Sequence, residues 1–381
     1  MRALLPAAAR RLVPTALPLA ALLAAGGVVA SGAGGELPAR DRPAVEGPGA
    51  PGWSADRRNG DAGEALRVGR GERLLVVAPH PDDEVLGAGG LAQRVVSRGG
   101  TVRVLLLTAG DGYVDAVRHE TGRARPPARE FIAYGERRLA EARTAARTLG
   151  PRVSVEVLGF PDGGLHALLH RHARRGSPMR SPTTGASDPP YDDEAREPDL
   201  PYAGGDLRRA MARAIGEASP SIVAIPDPAD VHLDHRAAAI FSLLALADVA
   251  AESRRAGPRP RVLTYLVHWP AWPPGWDRAP RPGDEHLPLA PPPDLPRREL
   301  ASRRLALSGE EVETKRAAIA AHATQVAVMP EFLGAFVRSE EVFGEVPDAS
   351  GDGLRAFVGR VGVPEVPATL ARSSSPAGAA P

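Results

Sequence analysis

The chain of 381 residues contains no cysteine, which removes both a disulfide framework and a lipoprotein attachment point. Any metal it binds must be held by histidine and carboxylate. Excess charge is lacking too: 47 Lys plus Arg against 46 Asp plus Glu leave a net charge of +1, too little to gather nucleic acid or an anionic membrane over long range. No internal repeat is present, so function must be read from a local site. What the chain has in plenty is glycine and proline, 41 and 40 residues, crowded into residues 31–63, 176–205, 270–297 and 364–381, which read as loops and tails.

The first thirty residues carry Arg2, Arg10 and Arg11, an apolar run from Leu12 and a small-residue ending at Val28-Val29-Ala30-Ser31. That order predicts a secretory signal cleaved after Ala30, and hence a secreted or cell-envelope protein. An uncleaved membrane anchor is the alternative, opposed by Pro14 and Pro18. Residues 31–71 lack a sustained apolar period and read as a disordered linker, 72–346 as the folded domain and 347–381 as a flexible tail.

Within the domain, short apolar runs alternate with longer helical stretches. Strands are expected at 73–78, 102–108, 153–158, 221–225 and 262–267, and helices at 84–97, 130–149, 207–218, 235–250 and 310–323. The alternation predicts an α/β, Rossmann-like parallel sheet covered by helices on both faces, with loop insertions. In such a sheet ligands bind beyond the carboxyl ends of the strands. Two polar clusters fall there.

The first, His80-Pro81-Asp82-Asp83-Glu84, follows the strand Leu74–Ala78 directly. Its three carboxylates would repel phosphate, so a nucleotide cradle is disfavoured. A histidine and a carboxylate three residues on can grip one divalent ion, and nitrogen plus oxygen ligands suit zinc. The plain structural alternative is a helix cap, with Asp82 or Asp83 as N-cap. The second cluster, Asp230-Val231-His232-Leu233-Asp234-His235, follows the strand ending at Ile225 and can add a third ligand, a second imidazole and a carboxylate to orient a ring. Two such clusters at two strand ends favour metal chemistry over capping.

These motifs, in this order, resemble the PIG-L/LmbE-like family of zinc-dependent N-deacetylases. Ala78-Pro79-His80-Pro81-Asp82-Asp83-Glu84 resembles its first signature and His232-Leu233-Asp234-His235 its second. Between them stand Arg138-Leu139-Ala140-Glu141 before Leu149-Gly150, and Gly159-Phe160-Pro161-Asp162-Gly163; Lys315 to Gln325 is similar to a late family helix. Leu233 stands where the family usually has Pro, and Thr324 where it usually has Ser. The resemblance implies a zinc ion on His80, Asp83 and His235, with Asp82 as general base. It further implies that His232 stabilises the oxyanion or assists as an acid, that Asp234 orients His232, and that Arg138 and Asp162 hold the polar head of the substrate.

The expected function is therefore an exported zinc hydrolase that removes an acetyl group from the amine of an N-acylated amino sugar or glycoconjugate. A carbohydrate-binding protein without turnover and a phosphoesterase are the alternatives. Trp269, Trp272 and Trp276 follow the last strand and could stack on sugar rings or simply pack a loop. His268 is expected to be structural rather than a fourth ligand, and the segment around His166, His170 and His172 a solvated, mobile insert.

Overall fold

The computed structural model describes residues 63–191, 193–252, 259–287, 289–296 and 300–361. The signal segment, most of the linker and the final twenty residues lie outside the described residues. Among the described residues, eight strands form one sheet: β1 (Glu64–Ala65), β2 (Arg73–Ala78), β3 (Thr101–Thr108), β4 (Val153–Phe160), β5 (Ile222–Pro226), β6 (Arg261–Tyr265), β7 (Ala301–Ala306) and β8 (Glu340–Glu345). Their spatial order is β1-β7-β8-β6-β5-β2-β3-β4. All neighbours run parallel except at β8, which is antiparallel to both β6 and β7.

Strand alternation divides the core between the two faces. Leu74, Val76, Val102, Val104 and Leu106 join one apolar cluster, with residues of the helices Asp83–Ser97, Ala128–Leu149 and Gly309–Ala320. Leu75, Val77, Leu105 and Leu107 face the other, with the helices Gly204–Ala218, Leu233–Glu252 and Gly351–Arg360. Each large aliphatic side chain removed from water contributes about 1.5–3 kcal/mol, so a strand apolar on both faces settles inside the sheet.

The chain enters the centre of the sheet at β2, winds outward through β3 and β4, then returns to the opposite side of β2 as β5 and β6. The loops leaving β2 and β5 therefore diverge at a topological switch point, where α/β sheets open a crevice. It lies between the acidic turn and the histidine pair.

Several expectations need correction. The tail expected from residue 347 begins with the helix Gly351–Arg360, capped by Ser350, whose side chain accepts the Gly353 N–H, and it buries Leu354, Phe357 and Val358. The single helix expected at 310–323 ends at Ala320, and a short turn of helix, Ala323–Val326, follows. The insert after β4 is no solvated appendage: Leu165, Leu168 and Leu169 are buried, and the Tyr202 hydroxyl donates to Gly159 O at 2.9 Å. Among the described residues, no helix is long and apolar enough to cross a membrane.

Candidate active site

The acidic turn is held from below by β3, because both the N–H and the hydroxyl of Thr108 donate to Pro79 O, at 3.1 and 2.9 Å. Asp82 then takes φ 131° and ψ −33°, a conformation that a residue with a Cβ adopts only under constraint. Its N–H donates to Glu84 Oε2 at 2.9 Å, and Arg138 Nη2 donates to Pro81 O at 2.6 Å and reaches Asp82 Oδ2 at 3.3 Å. Although Asp82 occupies the N-cap position, its side chain makes no capping bond. The carboxylate is held for some other purpose than ending a helix.

Asp83 Oδ2 is the meeting point of the two clusters. It lies 3.2 Å from His80 Nδ1 and 3.2 Å from His235 Nε2, and it accepts the His80 N–H at 3.0 Å. Behind the rings stand further carboxylates: Asp162 Oδ1 is 3.1 Å and Asp234 Oδ2 3.5 Å from His80 Nε2, while Asp230 Oδ2 is 3.1 Å from His235 Nδ1. His80 Nε2 and both nitrogens of His235 are buried and have no aligned hydrogen-bond partner among the described residues. Burial disfavours protonating these rings, yet Asp162 beside His80 raises its pKa, and Asp83 with Asp230 raises that of His235 to about 10. The enclosure thus calls for positive charge. A divalent cation meets that demand while leaving the imidazoles neutral, and each ring has a carboxylate behind it as a metal-binding histidine usually does.

Among the described residues, three overlapping groups have possible ligand atoms within 4.8 Å of one another: His80 with His232 and His235, Asp83 with His235 and His268, and His80 with Asp162 and Asp234. The expected triad draws on all three. His268 is closer to the centre than a rim residue, with its ring centroid 4.7 Å from that of His235 and its plane stacked on Phe332 at 5.4 Å. Burial lowers its pKa to about 3, so it stays neutral.

His232 is also neutral, its pKa lowered to about 4 first by burial and then by His80 and His235. Its Nδ1 accepts the Asp234 N–H at 3.3 Å, which assigns the ring proton to Nε2. This corrects the role expected of Asp234: its backbone orients His232, whereas its carboxylate accepts the N–H groups of Gly163 and Leu165 at 2.7 and 3.0 Å. Asp162 and Arg138 are also buried, and each is bonded within the protein. Asp162 accepts the Gly112 N–H at 2.6 Å and faces His80, and Arg138 is 3% exposed with Nη1 on Gly110 O at 2.8 Å.

The tryptophans divide. Trp272 is 5% exposed, belongs to the core and donates to Leu266 O at 3.2 Å, so it offers no free face to a sugar. That overturns the stacking expectation for Trp272. Trp269 is half-buried, and its Nε1 donates to Asp294 Oδ1 at 3.0 Å.

Four enclosed groups, Asp230, Glu84, His322 and Asp111, take parts that the motifs alone do not assign. Asp230 looks like a turn residue but accepts the His232 N–H at 2.8 Å and the His268 N–H at 2.9 Å while backing His235. Glu84, which holds the Asp82 N–H, faces the buried His322 at 3.0 Å. Asp111 receives the Tyr191 hydroxyl at 2.5 Å, bringing the insert to the crevice wall. A polar residue at a strand end is the only signal for Asp111, and Asp230 stands in the second cluster with nothing to mark it as the partner of His235.

The chain is similar in sequence to known proteins. The family model described as PIG-L, GlcNAc-PI de-N-acetylase, matches residues 75–246. A 1D-myo-inositol 2-acetamido-2-deoxy-alpha-D-glucopyranoside deacetylase of Segniliparus rotundus is 30% identical over 304 residues, covering 72% of this chain and 83% of the relative. Among solved structures, a conserved protein of Thermus thermophilus is 24% identical, with 71% of this chain and 93% of that chain covered and a TM-score of 0.39. The N,N'-diacetylchitobiose deacetylase of Pyrococcus horikoshii is 17% identical, with 72% and 84% covered and a TM-score of 0.42. The match from β2 into the helix Leu233–Glu252, together with a relative followed along most of its length, establishes that this chain belongs to the PIG-L, or GlcNAc-PI de-N-acetylase, family.

Proposed function

We propose that the chain is an exported zinc-dependent hydrolase that removes the acetyl group from the amine of an N-acetylated amino sugar or glycoconjugate. The observation that carries the reading is Asp83 Oδ2 set between His80 Nδ1 and His235 Nε2, with a second carboxylate, Asp82, adjacent but tied elsewhere. His80, Asp83 and His235 would hold the ion, which would supply an activated water and polarise the amide carbonyl.

The chain's own groups do the rest. Burial pushes the Asp82 pKa up to about 7, opposed by Arg138 and reinforced by Asp83, so its carboxylate can take a proton from the attacking water near neutral pH. It then returns that proton to the nitrogen as the C–N bond breaks, giving acetate and a free amine. His232 presents Nε2–H to the carbonyl oxygen as it gains negative charge, a donor whose loss costs about a hundredfold or more in rate. Arg138 keeps Asp82 turned away from the ligand position. Export rests on the basic, apolar and small-residue order of residues 1–31.

The test is acetate release from a panel that begins with N-acetylglucosamine linked to inositol, the unit named for the S. rotundus relative, and includes N-acetylglucosamine oligomers. Release that stops on chelation and returns with zinc supports the proposal. Sugar binding without acetate would favour the carbohydrate-binding alternative, and phosphate release from an ester the phosphoesterase.

A further inference from the structure

The helix that carries Asp83 is broken. Between Asp83 and Ser97, Ala88 leaves helical geometry at φ −143° and ψ 17°, so Asp83–Gly87 forms a one-turn stub tilted against the remainder. A break of this kind exposes carbonyls at the end of the stub and N–H groups at the start of the next segment, all inside the core.

One buried ion pair satisfies both sides. Glu341, on β8, accepts the Gly90 N–H at 2.7 Å and the Leu91 N–H at 2.9 Å. Lys315, on the helix Gly309–Ala320, donates to Leu86 O at 3.0 Å and to Glu341 Oε1 at 2.6 Å. Both side chains are no more than 3% exposed. Lys315 is also the only lysine in a chain whose other cationic side chains are all arginine. A compact ammonium can point at one carbonyl and one carboxylate in this niche, where the planar fork of a guanidinium would need more room. Close approach completes the splint: a Cβ at Gly87 would fall 2.2 Å from the Tyr265 ring, and one at Gly90 would fall 2.5 Å from Leu307.

We propose that the Lys315–Glu341 pair is a positioning device for the metal turn: it fixes the tilt of the stub and thereby holds Asp83 and Asp82 in register with His235. The inference rests on the metal assignment made above, and it reaches beyond the family-matched segment, because both residues follow residue 246. Ion pairs buried in this way are often replaceable by neutral groups of similar volume without loss of stability, so position and stability can be separated.

The experiment is cobalt(II) binding, read by visible absorption and by competition with a chelator, in four proteins. Wild type and His235→Ala come first: no cobalt in the former, or equal binding in the latter, would defeat the metal assignment itself. Lys315→Met/Glu341→Gln, neutral and similar in volume, is expected to bind cobalt at least about tenfold more weakly and with an altered spectrum. Leu354→Ala, in the opposite core cluster, should melt earlier yet keep the wild-type spectrum and affinity. Wild-type cobalt binding in the double variant, or an equal change in Leu354→Ala, would overturn the positioning role. Should the double variant not fold, Glu341→Gln alone retains an acceptor oxygen and is expected to weaken cobalt binding several-fold; an unchanged affinity there would count equally against the proposal.

Discussion

Replacing Asp230 by Asn probes whether the groups behind the imidazoles matter as much as those in front. Asp230 is fully buried, with Oδ2 3.1 Å from His235 Nδ1 and bonded to the N–H groups of Val267 and His268 at 3.2 and 2.9 Å. Its Oδ1 accepts the His232 N–H at 2.8 Å. A carboxylate serves every one of these neighbours as an acceptor; an amide of the same shape must turn an NH2 group towards at least one donor. If it faces Oδ1's partner, the His232 backbone loses its bond; if it faces the other side, His235 loses the carboxylate that keeps Nδ1 protonated and Nε2 free for a metal. Loss of such a backing group typically weakens metal binding about ten- to a hundredfold, or roughly 1.4–2.7 kcal/mol. Zinc affinity by chelator competition, measured on protein shown to be folded by circular dichroism, is the assay. Affinity within twofold of wild type in a folded Asp230→Asn protein would refute the argument.

Asp82→Asn should retain zinc while losing about a hundredfold or more in turnover, because only the proton acceptor is removed; this is checked by metal content and acetate release on one sample. Trp272→Ala should lower stability by about 3 kcal/mol or more through the cavity it leaves, and acetate release from single and oligomeric sugars should change alike, as a core residue requires. A loss confined to oligomers would restore the stacking role. Burial, reinforced by Asp162, pushes the Asp111 pKa up to about 7. The folded protein therefore keeps a proton that the unfolded chain releases near pH 4, and stability falls as pH rises from about 4 to about 7. The difference between the folded and unfolded pKa sets a ceiling of about 4 kcal/mol. Asp111→Asn should thus raise the melting temperature relative to wild type at pH 8 but not at pH 4.

The central strands were legible because β2, β3 and β5 are apolar on both faces, and the ligand set was legible because each half is a short motif at a strand end. What escaped is held by distant partners. β7 reads as polar, since Arg303 and Arg304 stabilise it by pairing with Glu345 and Glu340 rather than by apolar alternation. The helix Gly351–Arg360 is rich in glycine, and its apolar face gains meaning only against the helix Leu233–Glu252. Trp272 lies in a segment of prolines that reads as a surface loop, although its ring belongs to the core and Arg338 ties Pro274 O and Asp284 O together. The Gly87-Ala88-Gly89-Gly90 run reads as close helix packing, and Gly87 and Gly90 do lie against Tyr265 and Leu307, but the carboxylate that receives Gly90 comes from residue 341 and leaves no local signal.

The claim on which the rest depends is that one metal ion sits on His80, Asp83 and His235. Calorimetric titration of zinc into metal-stripped wild type and His235→Ala tests it most directly. One tight site per chain is expected in the wild type, and its loss in the variant. Equal binding in a folded His235→Ala protein would contradict it.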